Sequence, residues 1–312
     1  MAERLIGVDV GGTKVSVASL HGGKLDEPAL QPTITASANA LVDQLVAGIQ
    51  AAGDAVAVGV AIPSIIDWEG GRARFSVNVP LKDVPLRDIL RERLGVPVFV
   101  DNDATCAALA EAYDDDGHLL YRDLVAFTVG TGVGGGVVIG GKVHRGATGA
   151  AAELGHMIIS LDTRDGVPPA REFPQLGSLE ALAAGRVLDG MALQHGLRNG
   201  PEAVRRAQAG DADALALVTR LGERLGLGIA NMINALDPEI VVIGGGVSAA
   251  GDLLLRPATE IARQYTITGG GTKTEIRLAR YGRTAGVRGA ALLAGLELAE
   301  EHGHDATEVL TG

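Results

Sequence analysis

Apolar residues along the chain fall into short continuous runs, separated by glycine-rich or charged stretches. Residues 4–20, RLIGVDVGGTKVSVASL, read as a strand, a tight turn and a second strand. Residues 40–53, ALVDQLVAGIQAAG, carry helical spacing, and residues 55–63, AVAVGVAIP, read as a buried strand ended by Pro63. PLRDILRERLG, residues 85–95, predicts a helix stopped by Gly95. VPVFVDNDATCAALAEAY, residues 96–113, predicts a strand, a polar junction and a helix. The acidic DDDGH of residues 114–118 suggests a boundary.

The pattern then restarts. LVAFTVGTGVGGGVVIGGKV, residues 124–143, is again strand, glycine turn, strand. A helix is expected from about Ser178 to His195, and a longer amphipathic one over residues 212–236, stopped at Asp237-Pro238. EIVVIGGGVS, residues 239–248, predicts a buried strand entering a glycine turn. GVRGAALLAGLELAEEHG, residues 286–303, predicts a last helix that returns to the first half. The echo of one pattern near Leu5 and near Leu124 suggests two related α/β halves facing a cleft.

Composition agrees with that class. The chain has 312 residues, 46% of them hydrophobic but only 3% aromatic, which predicts an aliphatic core of the kind that covers parallel strands. The formal net charge of -11 disfavours nucleic acid and anionic membranes as partners. One cysteine, Cys106, excludes a disulfide framework and a multi-cysteine metal site, and its apolar surroundings predict a small core residue. No leader or membrane-spanning run is evident, so a cytoplasmic protein is expected.

The glycine turns carry the first chemistry. No Gly-Lys-Ser/Thr exists, so the P-loop pattern is absent. A dinucleotide fingerprint is met formally at Gly130, Gly132 and Gly135, and at Gly244, Gly246 and Ala249. The first of these runs into a strand where that motif must open a helix. DVGGTK, residues 9–14, places an acid at a strand end ahead of two glycines, an arrangement able to bring amides to a phosphate and Asp9 to its Mg²⁺. An ordinary hairpin explains it equally well, and a second such turn at residues 130–136 favours phosphate. In VDNDA, residues 100–104, Asn102 and Asp103 sit at a helix start; capping accounts for part of this, and a carboxylate there suits proton abstraction from an alcohol. Asp101 is expected to cap or face away.

Taken in order, DVGGTK, VDNDATCAALAE, GTGVGGGVVIGGKVHRGATGAAAELGH and IVVIGGGVS resemble the ROK family of glucokinase-like sugar kinases, within the hexokinase–actin-like ATPase superfamily. The resemblance implies an α/β fold of two ribonuclease-H-like domains. The smaller is expected at 1–113, joined by a terminal helix at about 293–312, and the larger at 114–292. It implies an ATP-dependent hexose kinase with Mg²⁺, glucose being the first candidate. Mannose, fructose, N-acetylmannosamine, a cyclitol acceptor and a polyphosphate donor are left open, and a non-catalytic sugar-sensing regulator is the alternative of another class. Homodimers or homotetramers are the family's common assemblies, and its DNA-binding members carry a helix-turn-helix that is not expected ahead of Asp9.

Residue by residue, the resemblance makes Asp103 the general base. Asn78, Asn102, Glu153, His156 and Glu180 become sugar ligands. ATP falls to Asp9, Gly11, Gly12, Thr13, Lys14, Thr131 and Gly132, with Gly244, Gly245 and Gly246 against the adenosine. Ser64, where the family has glycine, is expected to add a side chain near the pocket. The main departure is at residues 160–178, where the family's zinc-binding cysteines are missing and Ser178 takes the last of their positions. No zinc site is expected, because a closed tetrahedral site needs thiolates. Asp162, Asp165 and Glu172 are the remaining acids for a hard cation, although a solvated loop is the simpler expectation.

Overall fold

Leu5–Val10 (β1) and Lys14–His21 (β2) are strands because alternate residues on both faces are aliphatic, and nearly all of them are buried. The computed structural model describes residues 4–76, 78–170, 173–267 and 273–311. Along the chain follow β3 (Lys24–Leu25), β4 (Ala29–Pro32), α1 (Ala38–Ala51), β5 (Ala57–Ile62), β6 (Ile65–Asp67), β7 (Arg72–Phe75), β8 (Lys82–Val84) and α2 (Leu86–Leu94). Next come β9 (Val98–Asn102), α3 (Asp103–Ala112), β10 (Leu124–Val129), β11 (Val133–Ile139), β12 (Lys142–Val143), α4 (Leu179–Ala183), α5 (Gly185–Gln194), α6 (Gly200–Gln208) and α7 (Ala212–Leu236). The chain ends with β13 (Ile240–Gly244), α8 (Asp252–Tyr265), β14 (Glu275–Leu278), α9 (Ala285–His302) and α10 (Ala306–Thr311).

Two compact units result. The first collects residues 1–122, 136–151 and 283–312, and the second residues 123–135 and 152–282. The first unit's main sheet has the order β3-β2-β1-β5-β9, with β4 also on β2. Its parallel register sets Asp9 beside Ala61 and Ala61 beside Asp101, so the strand ends that carry candidate residues lie along one edge. One face of this sheet packs Ile6, Val8, Val58 and Val60 against Leu41, Leu45, Leu86 and Leu90 of α1 and α2. The opposite face carries Gly7 and Gly59, where an added Cβ would lie 2.0 Å from Val287 O and 1.8 Å from Ala290 O, so α9 rests directly on the strands. In the second sheet, of order β12-β11-β10-β13-β14, the β10–β13 and β13–β14 pairs are parallel.

Several expectations change. Residues 136–151 belong to the first unit, because Gly136 packs on Ala104, Thr105 and Ala108 of α3. The last helix joins that unit from Ala285, eight residues before the expected start at about 293, because its first turns hold the contacts with β1. The single helix expected over 178–195 is two, α4 and α5. Ala184 between them is extended at ψ 160°, and the Gly185 amide leaves the helical pattern to donate to Gly130 O at 2.7 Å. The small antiparallel sheet β6-β7-β8 was not foreseen from the pattern of residues 65–84. Among the described residues no helix is long and apolar enough to cross a membrane.

Candidate active site

In the first unit the candidates converge on one end of β1 and β9. The β1–β2 turn is closed by the Gly11 amide donating to Lys14 O at 2.9 Å and by the Thr33 hydroxyl donating to Gly11 O at 2.6 Å. Neither Gly11 nor Gly12 has a positive φ. Glycine is needed at 12 for space: a Cβ there would come within 2.8 Å of the Asn78 Cβ. Asn78, which is exposed, is thereby held against the turn that carries Thr13 and Lys14.

Asn102 is the N-cap of α3. Its Oδ1 accepts from the Ala104 and Thr105 amides at 2.9 and 3.2 Å, while its Nδ2 donates to Ser64 O at 3.2 Å. Asp103 follows as the first helical residue, where the helix dipole favours a carboxylate. The Asp9 carboxyl is pushed up from 3.8 to about 7, chiefly by burial and then by the nearby Asp103 charge, with Lys14 opposing both. The two carboxylates are therefore close enough to repel. Gly286, in the first turn of α9, touches Asp9: a Cβ there would lie 2.6 Å from its Cγ.

Ser64 does not enter an open site. Its side chain is buried and donates to Phe75 O at 2.8 Å, and its carbonyl is what holds Asn102. Asp101 does not cap the helix, a task that falls to Asn102. One oxygen accepts the Asn102 amide at 2.8 Å and the other pairs with Arg145 Nε at 2.6 Å. Arg145 also meets Glu297 at 2.5 Å and lies 4.5 Å from the Trp68 ring centre. This buried triad ties the β9–α3 junction to α9. Sequence reasoning missed Arg145 and Glu297, which gather only in the tertiary structure. Cys106 is a core residue, its thiol pushed well up by burial.

The second unit holds the other candidates. The Gly130–Gly132 turn is clamped by the α4–α5 junction. Besides the Gly185 contact, Glu180 Oε2 accepts the Val133 amide at 2.8 Å, and a Cβ on Gly132 would sit 2.4 Å from that oxygen. Glu180 Oε1 pairs with Arg186 at 2.9 Å. The 153–156 turn packs beside it, since a Cβ on Gly155 would lie 3.3 Å from the Glu180 Cβ. Glu153 and His156 are open to solvent with Nε2 and Oε2 3.9 Å apart, and Phe173 approaches the imidazole edge-on at 5.5 Å. The loop between His156 and Glu180 is closed at its base by Ile159 and Ser160 amides donating to Gly177 O and by the Leu179 amide donating to Met157 O.

A cavity of about 540 Å³ opens onto Gly130, Thr131, Arg186 and Gly246, with Leu188, Val204 and Val247 supplying apolar wall. It joins the Gly130–Gly132 turn to the late glycine turn, where Gly245 holds φ +85° with no room for a side chain over Val129. Gly244 ends β13 beneath it. The wall from α5 and α6 was not legible in the sequence, because it comes from ordinary amphipathic helices. Among the described residues no group of three His, Cys, Asp or Glu side chains is placed to hold a metal ion. Asp162 pairs with Arg164, and Glu172 lies outside the described residues. Asp9, at the end of β1, nevertheless fits Mg²⁺. That ion keeps several waters and needs only one or two carboxylates beside substrate phosphates, and its charge relieves the repulsion between Asp9 and Asp103.

A model of the ROK family matches residues 5–296. The chain is 34% identical to the glucokinase of Halalkalibacterium halodurans, covering 92% of this chain and 94% of that protein. It is also 34% identical to the N-acetyl-D-glucosamine kinase of Escherichia fergusonii, covering 92% and 98%. A ROK hexokinase structure from Thermus thermophilus matches with a TM-score of 0.81 at 36% identity, covering 95% of this chain and 99% of that one. A ROK family glucokinase from Streptomyces griseus, solved with glucose and AMPPNP, matches with a TM-score of 0.74 at 30% identity, covering 93% and 99%. The fold is accordingly that of the two-domain actin-like ATPases.

Proposed function

The chain belongs to the ROK family and is a sugar kinase, and we propose that it transfers the γ-phosphate of ATP to the 6-hydroxyl of glucose. The observation that carries this reading is the β9–α3 junction. There Asn102 is pinned by three hydrogen bonds, and Asp103 is presented at a helix start beside the Asp9 carboxylate. Asp103 accepts the proton of the sugar hydroxyl as its oxygen bonds to the γ-phosphorus. The bond from that phosphorus to the bridging oxygen breaks, and ADP leaves with the electron pair. Asn78, Asn102, Glu153, His156 and Glu180 hold the sugar hydroxyls.

Asp9, with the turns at Gly11–Lys14 and Thr131–Gly132, serves the phosphates, and Gly244–Gly246 the adenosine. Mg²⁺, when bound at Asp9, supplies charge neutralisation for the phosphates. The cavity joining Thr131 to Gly246 supports the nucleotide assignment. We propose further that no zinc is held at residues 160–178 and that His156 serves the sugar alone; stoichiometric zinc in purified protein would refute this. Glucose is favoured over N-acetylglucosamine because relatives named glucokinase include one solved with glucose itself. The test is release of ADP across a panel of hexoses, N-acetylhexosamines and cyclitols, with polyphosphate as a second donor. The highest kcat/KM is expected for glucose with ATP, and a higher value for any other pair would displace that assignment.

A further inference from the structure

We propose that Arg186 is a positioning residue through which nucleotide binding raises sugar affinity, by giving up Glu180 when a phosphate enters the cavity beside it. The inference rests on the reading above, in which Glu180 holds a sugar hydroxyl and the cavity at Thr131 takes the nucleotide. In the structure both Glu180 oxygens already have protein partners, Oε2 the Val133 amide at 2.8 Å and Oε1 the Arg186 guanidinium at 2.9 Å. Glu180 thus has a protein partner on each of its two oxygens. Arg186 faces two ways, since it also lines the cavity with Gly130, Thr131 and Gly246.

The two bonds differ in strength. The Val133 amide is fixed by the clamped turn, and Glu180 is only 18% exposed. Arg186 is 42% exposed, so its ion pair is partly screened by solvent and weak. A phosphate carries more charge than a carboxylate and offers a guanidinium bidentate geometry. Of the other charged groups on the cavity wall, Asp189 is held by the Gly200 amide at 2.7 Å, and Arg205 has no contact with Glu180 among the described residues. A nucleotide phosphate in this cavity draws Arg186 over and frees Oε1 of Glu180. Because coupling between two sites is reciprocal, bound sugar tightens the nucleotide by the same factor.

The test is a set of calorimetric titrations on the full chain: glucose with and without AMPPNP, and AMPPNP with and without glucose. For the unchanged protein both ligands should tighten each other by roughly tenfold, within the usual range of such couplings. In Arg186→Met, AMPPNP should weaken and the coupling factor should fall to about one. Nucleotide-free glucose affinity should hold or rise, because Glu180 is already released. Arg186→Lys should retain part of the coupling, and it serves as the readout if the Met variant does not fold. Coupling that survives unchanged in Arg186→Met, or is absent from the unchanged protein, would overturn the proposal. So would a fall in nucleotide-free glucose affinity, which is what loss of a mere brace would give. Failure of the unchanged protein to bind any sugar or AMPPNP would instead sink the kinase reading itself.

Discussion

Asp103 stands at the first position of α3, one residue after an Asn that already caps the helix. A carboxylate after that Asn is not needed for capping, and this excess is what marks the position as a candidate from residue types alone. If Asp103 takes the sugar proton, Asp103→Asn should lower kcat by roughly 10²–10⁴-fold while glucose affinity stays within a few-fold; ADP release and calorimetry together check this. Ser64 was misread for the opposite reason. A small polar side chain next to a pocket motif says nothing about direction, and its hydroxyl turns to the Phe75 carbonyl. Asp9 carries a pH signature. Its carboxyl titrates near 3.8 when unfolded and about 7 in the fold, so between those values only the folded chain holds the proton. Its contribution to stability therefore falls as pH rises from about 4 to about 7 and is flat above. In magnesium-free buffer, Asp9→Asn should remove that component of the slope and stabilise the protein at pH 8, by a few kcal/mol in order of magnitude. Denaturant midpoints across pH measure it.

At the scale of elements, the β9–α3 junction depends on partners remote in sequence. Asp101 bonds the Asn102 amide on one side and Arg145 on the other, and Arg145 reaches Glu297 of α9. Burial pushes the Asp101 carboxyl up on balance, and the Arg145 guanidinium offsets part of that shift. Removing one partner of a buried ionic group leaves the others unpaired. Arg145→Met should cost about 3–5 kcal/mol in urea unfolding, and adding Asp101→Asn should recover part of it. The strand and the helix were both legible, because one is a continuous apolar run and the other has helical spacing. Their fastening was not, because Arg145 lies in a glycine-rich stretch with no period and Glu297 looks like any exposed acid of a terminal helix. The split between α4 and α5 was hidden likewise. Nothing in LEALAAGRVL breaks helical spacing, and only the Gly130 carbonyl gives the Gly185 amide a reason to leave it.

For the whole molecule, chain order and folding unit do not coincide. The two-fold echo of strand, glycine turn and strand correctly announced two α/β units, and the parallel pairings β1–β5–β9 and β10–β13–β14 agree with the aliphatic composition. A linear reading could not show that the first unit is assembled from three stretches, because that follows from glycine contacts made in space. A Cβ at Gly289 would lie 1.7 Å from Cys106 O, as close as those at Gly7 and Gly59 to the same helix, so α9 is wedged between α3 and the sheet without side-chain spacers. Twelve of its residues, Ala285 to Ala299, are buried, including Arg288, whose guanidinium donates to the Gly23 and Asp114 carbonyls. The second unit takes nothing from residues 283–312. Ending the chain at Gly282 should therefore unfold the first unit selectively. Hydrogen exchange should find amides of β1, β5 and β9 unprotected, those of β10 and β13 still slow, and the Asp103-dependent phosphorylation gone. Protection retained in β1 and β5 would show that α9 is dispensable to its own unit, and a loss spread evenly over both sheets would show that the two units fold as one.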